Sequence, residues 1–261
     1  MTIRLSANLG FLWAELPYLE RIERAAAAGF KAIEMHWPYD VPAAELAAAV
    51  KRHGLTVVGI NTPRGDVAKG DSGLAAQPGR EAEFWEAFSL SLSYARVLGN
   101  CAIHVMGGAL PPAGFVAARV VCRANLVRAA AEAAKYGVTL LVEPLNEHDA
   151  PNNHLATVED GASLVASVGA PNLKIMFDCY HVARQSGDVV RRLRRFYPLI
   201  GHIQFAGVPA RQEPDASEID YRFVFAAISE LGWPGYVGAE YRPRAGVEEG
   251  LGWIEAFGLK A

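Results

Sequence analysis

The sequence predicts a single (β/α)8 barrel over residues 1–261, and three observations carry that expectation. Short apolar runs rich in Val and Ile alternate about eight times with longer amphipathic segments, the rhythm of strand and helix in a parallel barrel. Several of the amphipathic segments close on a glycine just before the next apolar run, at Gly29, Gly54, Gly99, Gly137, Gly169 and Gly232, where a left-handed residue would reverse the chain. A length of 261 residues with 51% apolar composition suits one large core of this kind.

Taken in order, the strands begin with IRLSANL, followed by the helix candidate LPYLERIERAAAAG and its stop at Gly29. KAIEMHW is the second strand, and AAELAAAVKRHG, ending on Gly54, returns the chain to TVVGIN. Residues 62–80, TPRGDVAKGDSGLAAQPGR, are rich in Gly, Pro and Asp and read as a long loop that could serve as a lid. REAEFWEAFSLSLSYARVLG then leads to the fourth strand, CAIHVMG, and GFVAARVVCRANLVRAAAEAAKYG to the fifth, TLLVEPLN. The last three strands are LKIMFDCY after Gly169, IGHIQFAG, and YVGAEYRP after Gly232. In the segment DVVRRLRRFYP, Arg191, Arg192, Arg194 and Arg195 surround Leu193 and Phe196, the pattern of a helix with a solvated basic face.

Charge narrows the partners. With 25 basic and 28 acidic residues the net charge is -3, so no global positive field attracts nucleic acid or an anionic membrane, and a small-molecule partner is expected. MTIRLSANLG lacks the charged and apolar regions of a signal peptide, and no stretch is long and apolar enough to span a bilayer. A soluble cytoplasmic protein is the expectation, with a homo-oligomer left open. Cys101, Cys122 and Cys179 are odd in number and widely spaced, which suits buried free thiols rather than a disulfide framework or a zinc cluster.

The chemistry lies at the ends of the last four strands. TLLVE stops on Glu143, LKIMFD on Asp178, IGHIQ on Gln204 and YVGAE on Glu240. Barrel active sites form at the C-terminal ends of the strands, so these oxygens occupy one arc and can converge on a hard divalent cation, Mg2+ or Mn2+. One such carboxylate alone reads as a helix cap, but four in phase do not. His181 and His148 follow the sixth and fifth strands and are candidates for substrate contact, whereas His104 and His202 lie within apolar strands, where a hydrogen-bonded core role competes. Arg211 and Arg242 sit just beyond the seventh and eighth strands, where a guanidinium can grip a substrate carboxylate or pair on the surface. Phe11, Trp13 and Trp37 either wall the pocket or pack beneath a loop.

VEPLN, FDCYH, GHIQFAG, EPDASEIDYRFVFAAI and GYVGAEYRPRAGVEEGLGW, together with SANLGFLW and PGREAEFWEAF, resemble the hydroxypyruvate isomerase family within the xylose isomerase-like barrels. The resemblance implies a metal-dependent aldose–ketose type isomerase, with Glu143 and Glu240 as the acid/base pair and Glu143, Asp178, Gln204 and Glu240 as metal ligands. It further implies interconversion of hydroxypyruvate and tartronate semialdehyde, with the four-carbon 2-oxo-tetronate as the alternative. GGALPPAG and GVPARQEPD resemble the tetronate branch, whereas VEPLNEHDAPNNHL and NLKIMFDCYH resemble the hydroxypyruvate branch. Related sugar epimerases usually carry histidine where Gln204 stands, which moves the reading away from a ketose 3-epimerase. Two further classes compete. An endonuclease IV-like phosphodiesterase needs several zinc ions and many histidines, poorly matched by 7 His and a charge of -3. A silent metabolite-binding barrel would share the fold without turnover.

Overall fold

The computed structural model describes residues 3–261, to which all structural statements refer. Eight parallel strands close into a barrel in chain order: β1 (Arg4–Asn8), β2 (Ala32–Met35), β3 (Thr56–Asn61), β4 (Ala102–His104), β5 (Leu140–Val142), β6 (Leu173–Asp178), β7 (Ile200–Phe205) and β8 (Tyr236–Ala239). β1 pairs with β2 on one side and β8 on the other, and the second pairing, from Arg4 opposite Tyr236 to Ala7 opposite Ala239, closes the ring. Each strand falls within a run predicted from sequence. These runs are largely apolar rather than strictly alternating because barrel strands are covered on both faces. In β6, Lys174 alone is less than fully buried.

The outer layer is formed by α1 (Tyr18–Ala27), α2 (Ala43–Arg52), α3 (Glu81–Val97), α4 (Phe115–Ala134), α5 (Val158–Val168), α6 (Cys179–Ser186), α7 (Val189–Phe196) and α8 (Tyr221–Glu230). The six glycines read as helix stops all have positive φ, the conformation that costs glycine least. α5 starts on a reciprocal box in which Thr157 accepts from the Asp160 N–H and the Asp160 side chain accepts from the Thr157 N–H. On α7, Leu193 and Phe196 are buried while Arg192 and Arg194 pair with Glu159 and Glu230. That is the solvated basic face expected from sequence.

Between α8 and the barrel, Phe205 is fully buried among Tyr221, Phe225 and Trp253, with ring centroids 5.6, 5.1 and 5.4 Å away. Cys101, Cys122 and Cys179 are buried and free. No helix among the described residues is long and apolar enough to cross a membrane.

The segment 62–80 is more ordered than its composition suggests. Leu74, Ala75 and Ala76 are buried. Leu74 and Ala75 donate their backbone N–H to the Met106 carbonyl, and Ala76 donates to that of Gly107. Asn125 of α4 donates to the Ala75 carbonyl, and Arg80 forks onto both oxygens of Asp71 at 2.7 Å. The part left exposed is Gly65–Gly70. A short apolar triplet set among glycines thus anchors the second half of this loop against the end of β4.

Candidate active site

The four oxygen-bearing side chains lie where the sequence placed them. Asp178 ends β6, Gln204 is the penultimate residue of β7, and Glu143 and Glu240 directly follow β5 and β8. All four are buried. Glu143, Gln204 and Glu240 line a cavity of about 320 Å³ at the C-terminal end of the barrel. Asp178 joins them through shared partners: Arg211 Nη2 lies 2.9 Å from Glu240 Oε1 and 3.6 Å from Asp178 Oδ2, and His181 Nε2 lies 3.7 Å from Asp178 Oδ2 and 3.9 Å from Glu143 Oε1. Asp178 also caps α6, its Oδ1 accepting from the Tyr180 N–H at 2.8 Å. The capping role and the site role are divided between its two oxygens.

The electrostatics of this cluster are compatible with a bound cation. Glu143 Oε1, Asp178 Oδ2 and Gln204 Oε1 are buried acceptors without a hydrogen-bond partner, each a cost of about 1–3 kcal/mol unless something positive meets it. Burial, with Glu240 and Asp178 adding, raises the Glu143 carboxyl well above its usual range. Burial likewise lifts Asp178 to about 7, with Arg211 opposing and Glu240 adding. Three carboxylates and an amide form an all-oxygen set suited to magnesium or manganese. The residues present therefore fit a divalent cation.

Glu34 governs the orientation of Gln204. Its carboxylate accepts from Ser6 Oγ at 2.6 Å, from Gln204 Nε2 at 2.6 Å and from Asn8 Nδ2 at 3.3 Å, and lies 3.1 Å from His202 Nε2. Because Gln204 Nε2 is engaged by Glu34, Oε1 is the end of the amide left free. Burial raises Glu34, but His202, Ser6 and Gln204 outweigh it and hold the carboxyl below its usual range. The barrel admits this charge because β8 is bare at Gly238, where a Cβ would collide with Glu34 Oε1 and stand 2.9 Å from Gln204 Cγ.

His181 is set up as a donor. The Asn146 backbone N–H donates to its Nδ1 at 3.1 Å, so a neutral ring carries its proton on Nε2, facing Glu143 and Asp178. Burial, reinforced by Arg211, pushes its pKa well below the ordinary value and keeps it neutral. Glu143, Asp178 and His181 could bring ligand atoms within 4.8 Å of one another, but the backbone hydrogen bond at Nδ1 argues for a hydrogen-bonding rather than a ligating His181. Asp149 accepts from Tyr180 Oη at 2.6 Å and from Asn146 Nδ2 at 3.1 Å, and also lines the cavity.

The remaining candidates divide. Arg211 points inward, its guanidinium against the rings of Phe11 and Tyr180, from a backbone with φ of 54°. A non-glycine residue in that region is held there by its surroundings. His104 lines the cavity, 3.7 Å from Glu143 Oε2, with its pKa pushed by burial down to about 4. Two sequence-based placements need correction. His148 is exposed on the turn after β5 and does not line the cavity, and Arg242 is exposed, 5.8 Å from the Phe11 ring. Phe11 and Trp37 do wall the cavity, whereas Trp13 is buried with its Nε1 bonded to Glu248. Sequence reasoning missed Glu34 and His36, whose Nε2 lies 3.6 Å from Glu240 Oε1. The signal available was an acid and a histidine two residues apart in the apolar run KAIEMHW.

Comparison with known proteins gives this geometry a context. Residues 22–257 match the family described as xylose isomerase-like TIM barrel. The chain is 47% identical to a 2-oxo-tetronate isomerase of Cupriavidus necator, over 97% of this chain and 98% of that protein. It is 38% identical to a hydroxypyruvate isomerase of Escherichia coli, over 98% and 99%. A crystal structure described as AP endonuclease, family 2 from Brucella melitensis superposes with a TM-score of 0.94 at 38% identity, covering 98% of this chain and 99% of that one.

Proposed function

Because the chain belongs to the xylose isomerase-like TIM barrel family, we propose that it is an isomerase that shifts a proton between adjacent carbons of a short α-hydroxy-oxo acid through an enediolate. The observation that supports this reading is the placement of Glu143, Asp178, Gln204 and Glu240 at the C-terminal ends of four successive strands, three of them with an unpartnered buried oxygen. A divalent cation held by these four residues would polarise the substrate carbonyl and offset the negative charge of the enediolate.

Glu143 and Glu240 are the acid/base pair: one takes the carbon-bound proton and the other returns one to the neighbouring carbon. Each keeps a second oxygen for this work if it binds a cation through one. His181 donates from Nε2 to a substrate oxygen. Arg211, already inside the cavity, meets the acid end in place of Arg242, which stays at the rim. Phe11 and Trp37 exclude water from one wall.

The four-carbon 2-oxo-tetronate is the favoured substrate, supported by the 47% identity to a 2-oxo-tetronate isomerase. Hydroxypyruvate with tartronate semialdehyde, the first reading from sequence, is the second, supported by FDCYH and the 38% identity to a hydroxypyruvate isomerase. A polyanion such as nucleic acid is disfavoured by the carboxylates that crowd the cavity.

The test is solvent-deuterium incorporation, followed by NMR on each acid, with metal-free enzyme and after restoring magnesium or manganese. Exchange and isomerisation that need the cation, and that fall by orders of magnitude in Glu143→Gln and Glu240→Gln, support the enediolate. No exchange with either acid refutes it, and unchanged ligand affinity in both variants without any turnover would favour a silent binding barrel.

A further inference from the structure

Beside the catalytic cavity lies a second cavity of about 300 Å³ that none of the steps above uses. His104, Met106, Glu143, Leu145, Asp149 and Ala150 line both, so the second cavity adjoins the reaction centre. Its interior is largely carbon, with Val105, Cys122, Val142 and Leu155 among the lining. Its walls include residues 107–109 and several of 142–155, which fall in GGALPPAG and VEPLNEHDAPNNHL, two of the segments whose branch resemblances disagree about the substrate.

One polar side chain in this lining lacks partners altogether. His154 is 2% exposed, and neither Nδ1 nor Nε2 has a hydrogen-bond partner. Gly107 makes room for it, since a Cβ there would stand 2.8 Å from His154 Cε1. Burial, with Arg119 adding, pushes its pKa down to about 4, so the ring is neutral, with one donor and one acceptor nitrogen. A hydroxyl group complements such a ring because it both donates and accepts.

We propose that this side cavity receives the tail of the substrate, the hydroxyl-bearing carbons beyond the reacting hydroxy-carbonyl pair, and that His154 exchanges a hydrogen bond with a tail hydroxyl. The inference rests on the proposed isomerase reading and deepens it: the preferred substrates are hydroxy-oxo acids longer than three carbons. Apolar lining accommodates the carbon chain, and the single polar contact distinguishes a hydroxylated tail from a bare one.

The test compares kcat/KM for three-, four- and five-carbon 2-oxo acids bearing hydroxyls, in wild type and in His154→Phe, which keeps a ring but removes both nitrogens. His154→Gln serves as the conservative variant, and thermal unfolding verifies that both fold. The expected result is a rise in kcat/KM beyond three carbons that drops about ten-fold in His154→Phe relative to the three-carbon acid and is partly restored in His154→Gln. A flat series in wild type, or an equal loss for all lengths in His154→Phe, overturns the tail site. Calorimetric binding of the non-isomerisable acids threonate and glycerate separates the two proposals. A threonate preference lost in His154→Phe supports the side cavity even if no acid turns over, and equal binding of the two by wild type overturns it.

Discussion

Cation binding by this site should be strongly linked to protons. Asp178 is raised from 3.8 to about 7, so in metal-free protein below pH 7 it tends to hold a proton that a cation must displace, and Glu143 is shifted in the same direction by burial and by Glu240 and Asp178. The sign follows: affinity rises with pH. Asp178 alone makes affinity for magnesium or manganese fall about five-fold from pH 7 to pH 6, and Glu143, shifted in the same direction, steepens the fall. Calorimetric titration at pH 6 in buffers of different ionisation enthalpy should report release of about one proton per ion from Asp178, with Glu143 adding to it. The same shift sets a stability trend in metal-free protein. The Asp178 contribution of ~4 kcal/mol is fully present below the unfolded value of 3.8 and is lost as pH rises through about 7. An affinity that is equal at pH 6 and 7.5, with no proton released, would refute the reasoning, because the cation would then not be displacing protons from these carboxyls.

Glu34→Ala frees the Gln204 amide to rotate and leaves His202 without its partner, so manganese affinity by calorimetry should fall about 10- to 100-fold. An unchanged affinity would show that Gln204 needs no such clamp. Phe205→Ala empties the centre of an aromatic cluster and should cost about 3–5 kcal/mol in urea unfolding, whereas a cost below about 1 kcal/mol would contradict the packing. His104 and His154 are held near pKa 4 against 6.5, so each favours the fold by ~3 kcal/mol above pH 6.5, a contribution lost as pH falls through about 4. Urea unfolding at pH 7.5 and 5 reads this slope, and His154→Phe should flatten it by up to about one proton; an identical slope in the variant would count against a buried neutral His154.

The barrel was legible because each of its signals is local. A parallel strand covered on both faces writes its burial as consecutive apolar residues, and glycines such as Gly137 and Gly169 mark where helices must reverse. The four ligand candidates were legible for the same reason: a polar residue ending an apolar run lies at a strand end. Glu34 was not, because its meaning depends on Ser6 from the neighbouring strand and on His202 and Gln204 from β7 across the barrel. Arg211 and Arg242 both stand past strand ends, and sequence spacing cannot show which points inward. The left-handed backbone at Arg211 decides it. In residues 62–80 the glycines and prolines concealed the three-residue apolar anchor at Leu74–Ala76, whose partners lie on the far side of β4.

The missing side chain at Gly238 ties one position to another far away in the chain. The carboxylate of Glu34 occupies the space a β-carbon would need, so position 238 cannot gain a side chain while Glu34 is kept. A chain that acquired alanine at 238 would have to shorten residue 34 at the same time, and with it surrender the grip on Gln204. Among related barrels the two positions should therefore be inherited as a pair, with an acid at 34 present only where 238 is glycine, and any lineage that changed both would have had to find a new way to present its fourth oxygen to the site.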